Sequence, residues 1–146
     1  AGCFSCTADA CLKEKRYLFK ALFMDILELR EYCLALPLAE ETTPFDEMTL
    51  VYKVAGKMFL LTDMADFRWI NVKCDPDRAV ELRDRYAEVK EGYHMNKRHW
   101  NTVDMAGDLP EPLIREWILD SYRLVVNSLP RAKRETLLRL LEEDKT

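Results

Sequence analysis

Residues 50–62, with the sequence LVYKVAGKMFLLT, constrain the fold more than any other stretch of the chain. Leu50, Tyr52 and Val54 lie at every second position, and a period of two is typical of a β-strand with one buried face. Ala55-Gly56 interrupts the pattern, which then resumes. Two strand-like runs separated by two small residues predict a tight β-hairpin.

The residues after this hairpin predict a third strand, a helix and two more strands. Within residues 67–74, Ile70 and Val72 alternate with polar neighbours and are expected to face the core. Asp75-Pro76 follows, and an aspartate cap before a first-turn proline is typical of a helix start. Two further strands are predicted for residues 89–95 and 99–105.

The remaining segments predict helices and one link. Residues 40–47 are acidic and rich in turn-forming residues, so we expect a link without strand structure there. The other helices are bounded by prolines, at Pro37, Pro110 and Pro130. The predicted order is helix, three strands, helix, two strands, helix, with an added helix at each end. Because short connections favour antiparallel neighbours, we expect an α+β domain of two layers, one antiparallel sheet with helices packed on it.

The composition fits one globular domain outside the membrane. The chain has 146 residues, with 22 lysines and arginines against 26 aspartates and glutamates, and a net charge of −4. No apolar run approaches the ~18 residues that a membrane span needs. Of the five cysteines, Cys33 and Cys74 lie in apolar segments, as reduced core cysteines do, so we expect a cytoplasmic protein.

The N-terminal cysteines suggest half of a metal site. Cys3, Cys6 and Cys11 form a CxxC followed by a third cysteine, whereas a structural zinc site needs four ligands at suitable spacing. The chain has only four glycines and therefore no glycine-rich loop for a nucleotide phosphate. We expect no metal and no other cofactor.

The segment from Lys90 to Asn101 carries the strongest functional signal. It has three basic residues against one acidic residue, together with both histidines of the chain. A basic turn with aromatic neighbours can contact nucleic acid, with the cations on phosphates and the rings on bases. Lysines that flank the first hairpin extend this patch. The candidate nucleic-acid-binding residues are Lys53, Lys57, Lys90, Tyr93, His94, Lys97, Arg98, His99, Trp100 and Asn101.

Other interpretations of these residues stay open. The cations of the turn can simply be solvated while the aromatic rings pack on the sheet. A protein-interaction domain, which binds a protein partner or a second copy of the chain, would instead use the sheet face that carries Trp69 or an exposed helix. An enzyme would pair Cys74 with His94 or His99, but no oxyanion-type glycine loop accompanies that thiol, so we expect no catalysis. The net acidity restricts any nucleic-acid binding to a local patch.

Several segments together resemble a known family. They are residues 71–76 (NVKCDP), residues 92–103 (GYHMNKRHWNTV), the hairpin with the residues just before it, and Asp120-Ser121-Tyr122. In these segments the chain resembles the bacterial MmcQ/YjbR family, over about residues 24–133.

The resemblance implies a small α+β fold of the secretion-chaperone-like kind, in the order α-β-β-β-α-β-β-α. It also implies DNA binding, the label commonly given to the family, and no agreed catalytic activity. Because the similarity begins near Met24, we expect residues 1–23 to be an N-terminal extension, helical in part. Residues 24–146 are then expected to form a single domain that includes the C-terminal helix.

Overall fold

The computed structural model describes residues 24–93 and 95–143. Its helices and strands, in chain order, are α1 (Ile26–Ala35), β1 (Ala39–Thr42), β2 (Thr49–Val54), β3 (Lys57–Asp63), β4 (Trp69–Lys73), α2 (Pro76–Arg85), β5 (Val89–Glu91), β6 (Trp100–Asp104), α3 (Glu111–Asn127) and α4 (Arg131–Glu143). These strands form one sheet in the order β1-β2-β3-β4-β6-β5.

Every neighbouring pair of strands in this sheet is antiparallel. Leu60 of β3 pairs with Val72 of β4, and Lys73 of β4 pairs with Trp100 at the start of β6. The β2–β3 turn and the β5–β6 connection therefore lie at the same end of the sheet. Since neighbouring strands are about 4.8 Å apart, β3 and β6 are separated by about 10 Å across β4.

Local signals set the first hairpin and the start of α2. Ala55 and Gly56 both have positive φ angles, 50° and 78°, as the two central residues of a type I′ turn require. The Asp75 side chain accepts hydrogen bonds from two backbone N–H groups of the first turn of α2, and Pro76 stands in that turn. Both features match the sequence prediction.

The described helices pack on one face of the sheet. Buried residues of α1, α2, α3 and α4 join strand residues such as Tyr52, Ile70 and Val103 in the main core. On the opposite face, which we call the second face, strand and loop residues form a separate apolar cluster to which no described helix contributes. This second-face cluster consists of Val51, Leu61 and Trp100, with Met58, Trp69 and Met95 packed against it.

Two polar residues of α3 tie the helix layer to the sheet. The register between β2 and β3 shifts beside Phe59, and the pairing of β3 with β4 ends at Leu60 and Val72. Ser121 bridges the two strands beyond this point, because its hydroxyl accepts from the Lys73 N–H at 2.9 Å and donates to the Phe59 carbonyl at 2.5 Å. The neighbouring Tyr122 donates its hydroxyl to the Pro37 carbonyl at 2.6 Å. These contacts explain why the Ser-Tyr pair stands at this point of α3.

The structure confirms the predicted α+β architecture, but the prediction of a link over residues 40–47 was wrong at its start. Residues 39–42 form the edge strand β1, so the sheet has six strands where five were expected. Glu41 accepts hydrogen bonds from the Tyr52 hydroxyl at 3.0 Å and from Arg30 Nε at 2.9 Å. Charged residues are common on edge strands, and here the partners of Glu41 come from distant elements that the local pattern does not reveal.

The last two strands are shorter than predicted. The predicted strands at residues 89–95 and 99–105 are observed as Val89–Glu91 and Trp100–Asp104. No helix within the described residues is long and apolar enough to cross a membrane. The predicted extension at residues 1–23 lies outside the described residues.

Candidate nucleic-acid interface

The predicted binding residues concentrate at the end of the sheet that holds the β2–β3 turn and the β5–β6 connection. Lys53 and Lys57 flank the turn, whereas the others lie in β5, in residues 92–99 and at the start of β6. The register brings the two connections to one end, as described above. His94 lies outside the described residues.

The two lysines of the first hairpin point in different directions. Lys53 stands opposite Met58 of the second-face cluster and opposite Glu40 of β1, so its side chain belongs to the second face. Lys57 Nζ instead donates to the hydroxyl of Ser128 at 3.3 Å, at the end of α3 on the helix side. The hairpin therefore does not present both ammonium groups to one ligand.

Residues 92–99, which we call the β5–β6 loop, are held on the second face by side chains of neighbouring strands. The Tyr93 N–H donates to the Thr102 hydroxyl at 2.9 Å, and the Tyr93 carbonyl accepts from Asn71 Nδ2 at 3.2 Å. The Thr102 hydroxyl donates in turn to Asn71 Oδ1. This network ends the β5 ladder and leaves the Tyr93 side chain 64% exposed.

Gly92 allows the loop to start where it does. Its N–H donates to the Trp100 carbonyl at 2.9 Å. A Cβ atom at this position would lie 2.8 Å from both the carbonyl oxygen and the Cβ of Trp100. The close approach of two backbones, rather than an unusual φ angle, explains the glycine.

Arg83 of α2 organises the loop from the other side. Its Nε donates to Asn101 Oδ1 at 2.8 Å, and its Nη2 donates to the Lys97 carbonyl at 2.6 Å. Asn101 Nδ2 donates to the Ala79 carbonyl of the same helix at 3.3 Å. Sequence reasoning missed Arg83, although its spacing of four from the buried Ala79 places it on the inner side of α2.

The loop and β5 line an open groove of about 640 Å³ that is rich in charge. Glu91 lies 3.7 Å from Arg83 Nη1 and 3.7 Å from Lys97 Nζ. The Lys97 side chain remains 68% exposed, and Arg98 at the loop tip is also exposed. The groove is lined by Arg83, Lys90, Glu91, Gly92, Tyr93, Met95 and Lys97.

Three predicted contact residues play structural roles. Asn101 is 1% exposed and is used by the bonds to Arg83 and Ala79, while Trp100 is 8% exposed in the second-face cluster. The His99 carbonyl accepts from the Cys74 N–H at 2.7 Å, which fastens the loop to the end of β4. These residues position the loop, and the accessible members of the predicted set are its exposed cations and Tyr93.

The chemistry of Cys74 does not favour a nucleophile. Burial raises the pKa of the Cys74 thiol above its ordinary value, so the thiol is protonated at neutral pH. Burial also raises the pKa of the Asp120 carboxyl in the same small recess. Within residues 24–93 and 95–143, no group of three histidine, cysteine or acidic side chains is placed to hold a metal ion, and Cys3, Cys6 and Cys11 lie outside these ranges.

Known proteins with similar sequences span most of the chain. A family model described as YjbR matches residues 34–124. The chain is 38% identical over 107 residues to the uncharacterized protein YbdF of Escherichia coli O157:H7, and the aligned residues cover 73% of this chain and 86% of that protein. It is 36% identical over 118 residues to the uncharacterized protein YjbR of Escherichia coli K12, which covers 80% of this chain and all of that protein.

Solved structures share the fold. A Deinococcus radiodurans protein, DR2400, described with a DUF419 domain, is similar with a TM-score of 0.73 and 37% identity, over 80% of this chain and 88% of that one. A Pseudomonas syringae protein is similar with a TM-score of 0.59 and 23% identity, over 69% of this chain and 98% of that one. This similarity shows a shared fold alone. The family model spans more than half of the residues, and relatives well above 30% identity extend along nearly their whole length. The chain belongs to the YjbR family.

Proposed function

We propose that this protein is a non-enzymatic, cytoplasmic DNA-binding module that contacts the phosphate backbone through the tip of the β5–β6 loop. The observation that carries the proposal is the exposed pair Lys97-Arg98 on a loop that is fastened at several points. A cation on a fixed support loses less conformational freedom on binding than one on a mobile loop. The exposed ring of Tyr93, beside this tip, adds a surface on which a base or sugar can pack.

The charge of the whole chain limits the strength of this binding. The net charge of −4 gives no general attraction to a polyanion, so the loop must supply it locally. Binding that depends on a few phosphate contacts weakens with salt in proportion to their number. The free thiols Cys33 and Cys74 fit the reducing compartment in which DNA is accessible to the protein.

The proposal is tested with a fluorescently labelled DNA duplex titrated at about 50 mM and about 200 mM salt. The double substitution Lys97→Ala/Arg98→Ala is expected to weaken binding and to lower the slope of log K against log salt by about 2, since each lost phosphate contact removes about one. The matched control is Arg68→Ala/Arg139→Ala, which removes two cations that lie outside the loop and its groove. Equal binding by the two double variants would rule out the loop as the contact site.

A second candidate function is binding of a protein partner, including a second copy of the chain, on the second face. The observation in its favour is the second-face cluster, in which Met58, Trp69 and Met95 stay partly exposed. Aromatic and methionine side chains are enriched in protein interfaces. Sedimentation of the wild type and of Trp69→Gln distinguishes the candidates, because only a contact through this face gives an assembly that the substitution dissociates.

A further inference from the structure

The groove beneath the β5–β6 loop joins two cations from different parts of the chain, Arg83 of α2 and Lys97 of the loop. Lys90 of β5 also lines the groove, but it stands opposite Thr102, so its side chain leaves the strand on the second face. Among the described residues that line the groove, Glu91 is the acidic one. Because cations repel one another unless an anion lies between them, such a convergence suits an anionic group.

Arg83 is prepared for such a group by its other bonds. Its side chain is only 18% exposed, and its Nε and Nη2 atoms already donate to Asn101 and to the Lys97 carbonyl. These bonds fix the plane of the guanidinium, and Nη1 is the nitrogen that faces Glu91. A guanidinium with a fixed plane is well suited to bind the oxygens of a phosphate.

The Glu91 carboxylate lies where an anionic ligand would bind, but its contacts with the two cations are long. Its carboxylate oxygens lie 3.7 Å from Arg83 Nη1 and 3.7 Å from Lys97 Nζ, which exceeds hydrogen-bond distance. The Glu91 side chain is 56% exposed, so water competes with both ion pairs. A ligand oxygen that approaches to about 2.8 Å gains charge-assisted hydrogen bonds that Glu91 does not make.

We propose that this groove is a phosphate-binding site and that Glu91 is its internal competitor, which sets its affinity. The inference deepens the proposed function, on which it rests, by naming the groove as the place where one phosphate of a nucleic-acid chain is bound beside the Lys97-Arg98 tip. When phosphate enters, the Glu91 side chain turns to solvent and Arg83 and Lys97 bind the ligand oxygens.

The first experiment titrates inorganic phosphate into the ¹⁵N-labelled protein and follows the backbone amides of residues 90–98 and the Arg83 Nε–H. Wild type is expected to show saturable shifts at these positions. Glu91→Gln is expected to raise the affinity about fivefold, the effect of removing one unit charge about 4 Å from a ligand in water. Lys97→Ala is expected to lower it by a similar factor.

The matched control is Glu81→Gln, which removes one negative charge from an exposed position of α2 outside the groove. It is expected to leave phosphate affinity within twofold of wild type, as a screened distant charge should. If Glu91→Gln and Glu81→Gln have the same affinity, or if the shifts fall outside residues 90–98 and Arg83, the groove is not a phosphate site.

A second experiment separates the possible sources of the phosphate and separates this inference from the proposed function. Oligonucleotides with a 5′-phosphate and with a 5′-hydroxyl are compared on wild type and Glu91→Gln. If Glu91→Gln binds both oligonucleotides more tightly than wild type does, the groove binds an internal backbone phosphate. If its affinity rises for the phosphorylated oligonucleotide alone, the groove binds a terminal phosphate. If neither oligonucleotide binds but inorganic phosphate does, the groove is a phosphate site and the proposed DNA binding is wrong. If DNA binding depends on Lys97-Arg98 but not on Glu91, the proposed DNA binding is supported and the proposal for the groove is wrong.

Discussion

The two connections at the same end of the sheet differ in how much they depend on the rest of the molecule. The β2–β3 turn consists of Ala55 and Gly56, whose positive φ angles reverse the chain without help from other elements. The β5–β6 loop also has local turn bonds, from the Met95 N–H to the Gly92 carbonyl and from the Trp100 N–H to the Asn96 carbonyl, but it is held in addition by side chains from α2, β4 and β6. One connection thus needs two adjacent residues, and the other combines local turns with tertiary contacts.

This difference indicates which connection is suited to binding. A two-residue turn presents little surface, and its two flanking lysines lie on different faces. The β5–β6 loop presents cations and an aromatic ring from a backbone that is fixed at both ends. The anchoring residues are buried or partly buried, so the support and the contact surface are made by different side chains.

The largest expected effect comes from a glycine-to-alanine substitution in each connection, at Gly56 and at Gly92. Gly92→Ala forces a Cβ atom to 2.8 Å from the Trp100 carbonyl and is expected to lower the free energy of unfolding by about 3 kcal/mol. Gly56→Ala meets nothing within 4 Å and has only the cost of its φ of +78°, about 1 kcal/mol. Urea denaturation followed by tryptophan fluorescence measures both. Equal losses would mean that the close approach at Gly92 is not what fixes the loop.

The next largest effect is expected from removing Arg83, the residue of α2 that anchors the loop. Arg83→Met keeps the aliphatic stem but leaves the buried Asn101 side chain and the Lys97 carbonyl without their donor, at a cost of about 2 kcal/mol. Hydrogen exchange of the loop amides should accelerate more than exchange in β2 and β3. Arg139→Met, at an exposed position of α4, is the control and should change stability by less than about 0.5 kcal/mol. Uniform acceleration across the sheet would argue against a local anchor.

The same contrast explains what could be predicted from the sequence. The first hairpin was predictable because its turn depends on two adjacent residues and its strands on a period of two. The start of α2 was predictable for the same reason, since Asp75 and Pro76 act within one turn. The antiparallel sheet and its helix layer followed from the order of such elements.

The parts that were missed depend on contacts between distant residues. Arg83 reaches residues 14 and 18 positions away, and its spacing from Ala79 indicates the inner side of α2 but not these partners. Asn101 was predicted as a contact residue because it adjoins a basic turn, yet its amide is buried by α2. Strand β1 was missed because its acidic residues resemble a solvated link until Tyr52 and Arg30 are placed beside Glu41.

A smaller effect is expected from removing the Thr102 hydroxyl, which anchors the loop on the second face. Thr102→Val preserves the shape of the side chain but removes the hydroxyl that bonds to the Tyr93 N–H and to Asn71. We expect a loss of about 1 kcal/mol and faster exchange of the Tyr93 amide. Thr136→Val is the control, because its hydroxyl bonds only to the Ala132 carbonyl of its own exposed helix turn. If both variants leave exchange at Tyr93 unchanged, the second face does not hold the loop.

The smallest effect concerns the contribution of each connection to DNA affinity. Lys97→Ala should weaken binding about fivefold, the effect of one unit charge about 4 Å from a phosphate in water. Lys57→Ala should weaken it less than about twofold, because the Lys57 ammonium is directed to Ser128 on the helix side.

Both affinities are measured on the same labelled duplex at low salt, and Arg139→Ala again controls for the loss of one positive charge. Losses of equal size at Lys57 and Lys97 would mean that DNA bridges both connections. Such a ligand would have to extend about 10 Å across β4 and approach Ser128 at the end of α3. A loss confined to Lys97 means that the loop anchored by side chains carries the binding surface and that the two-residue turn serves only the fold.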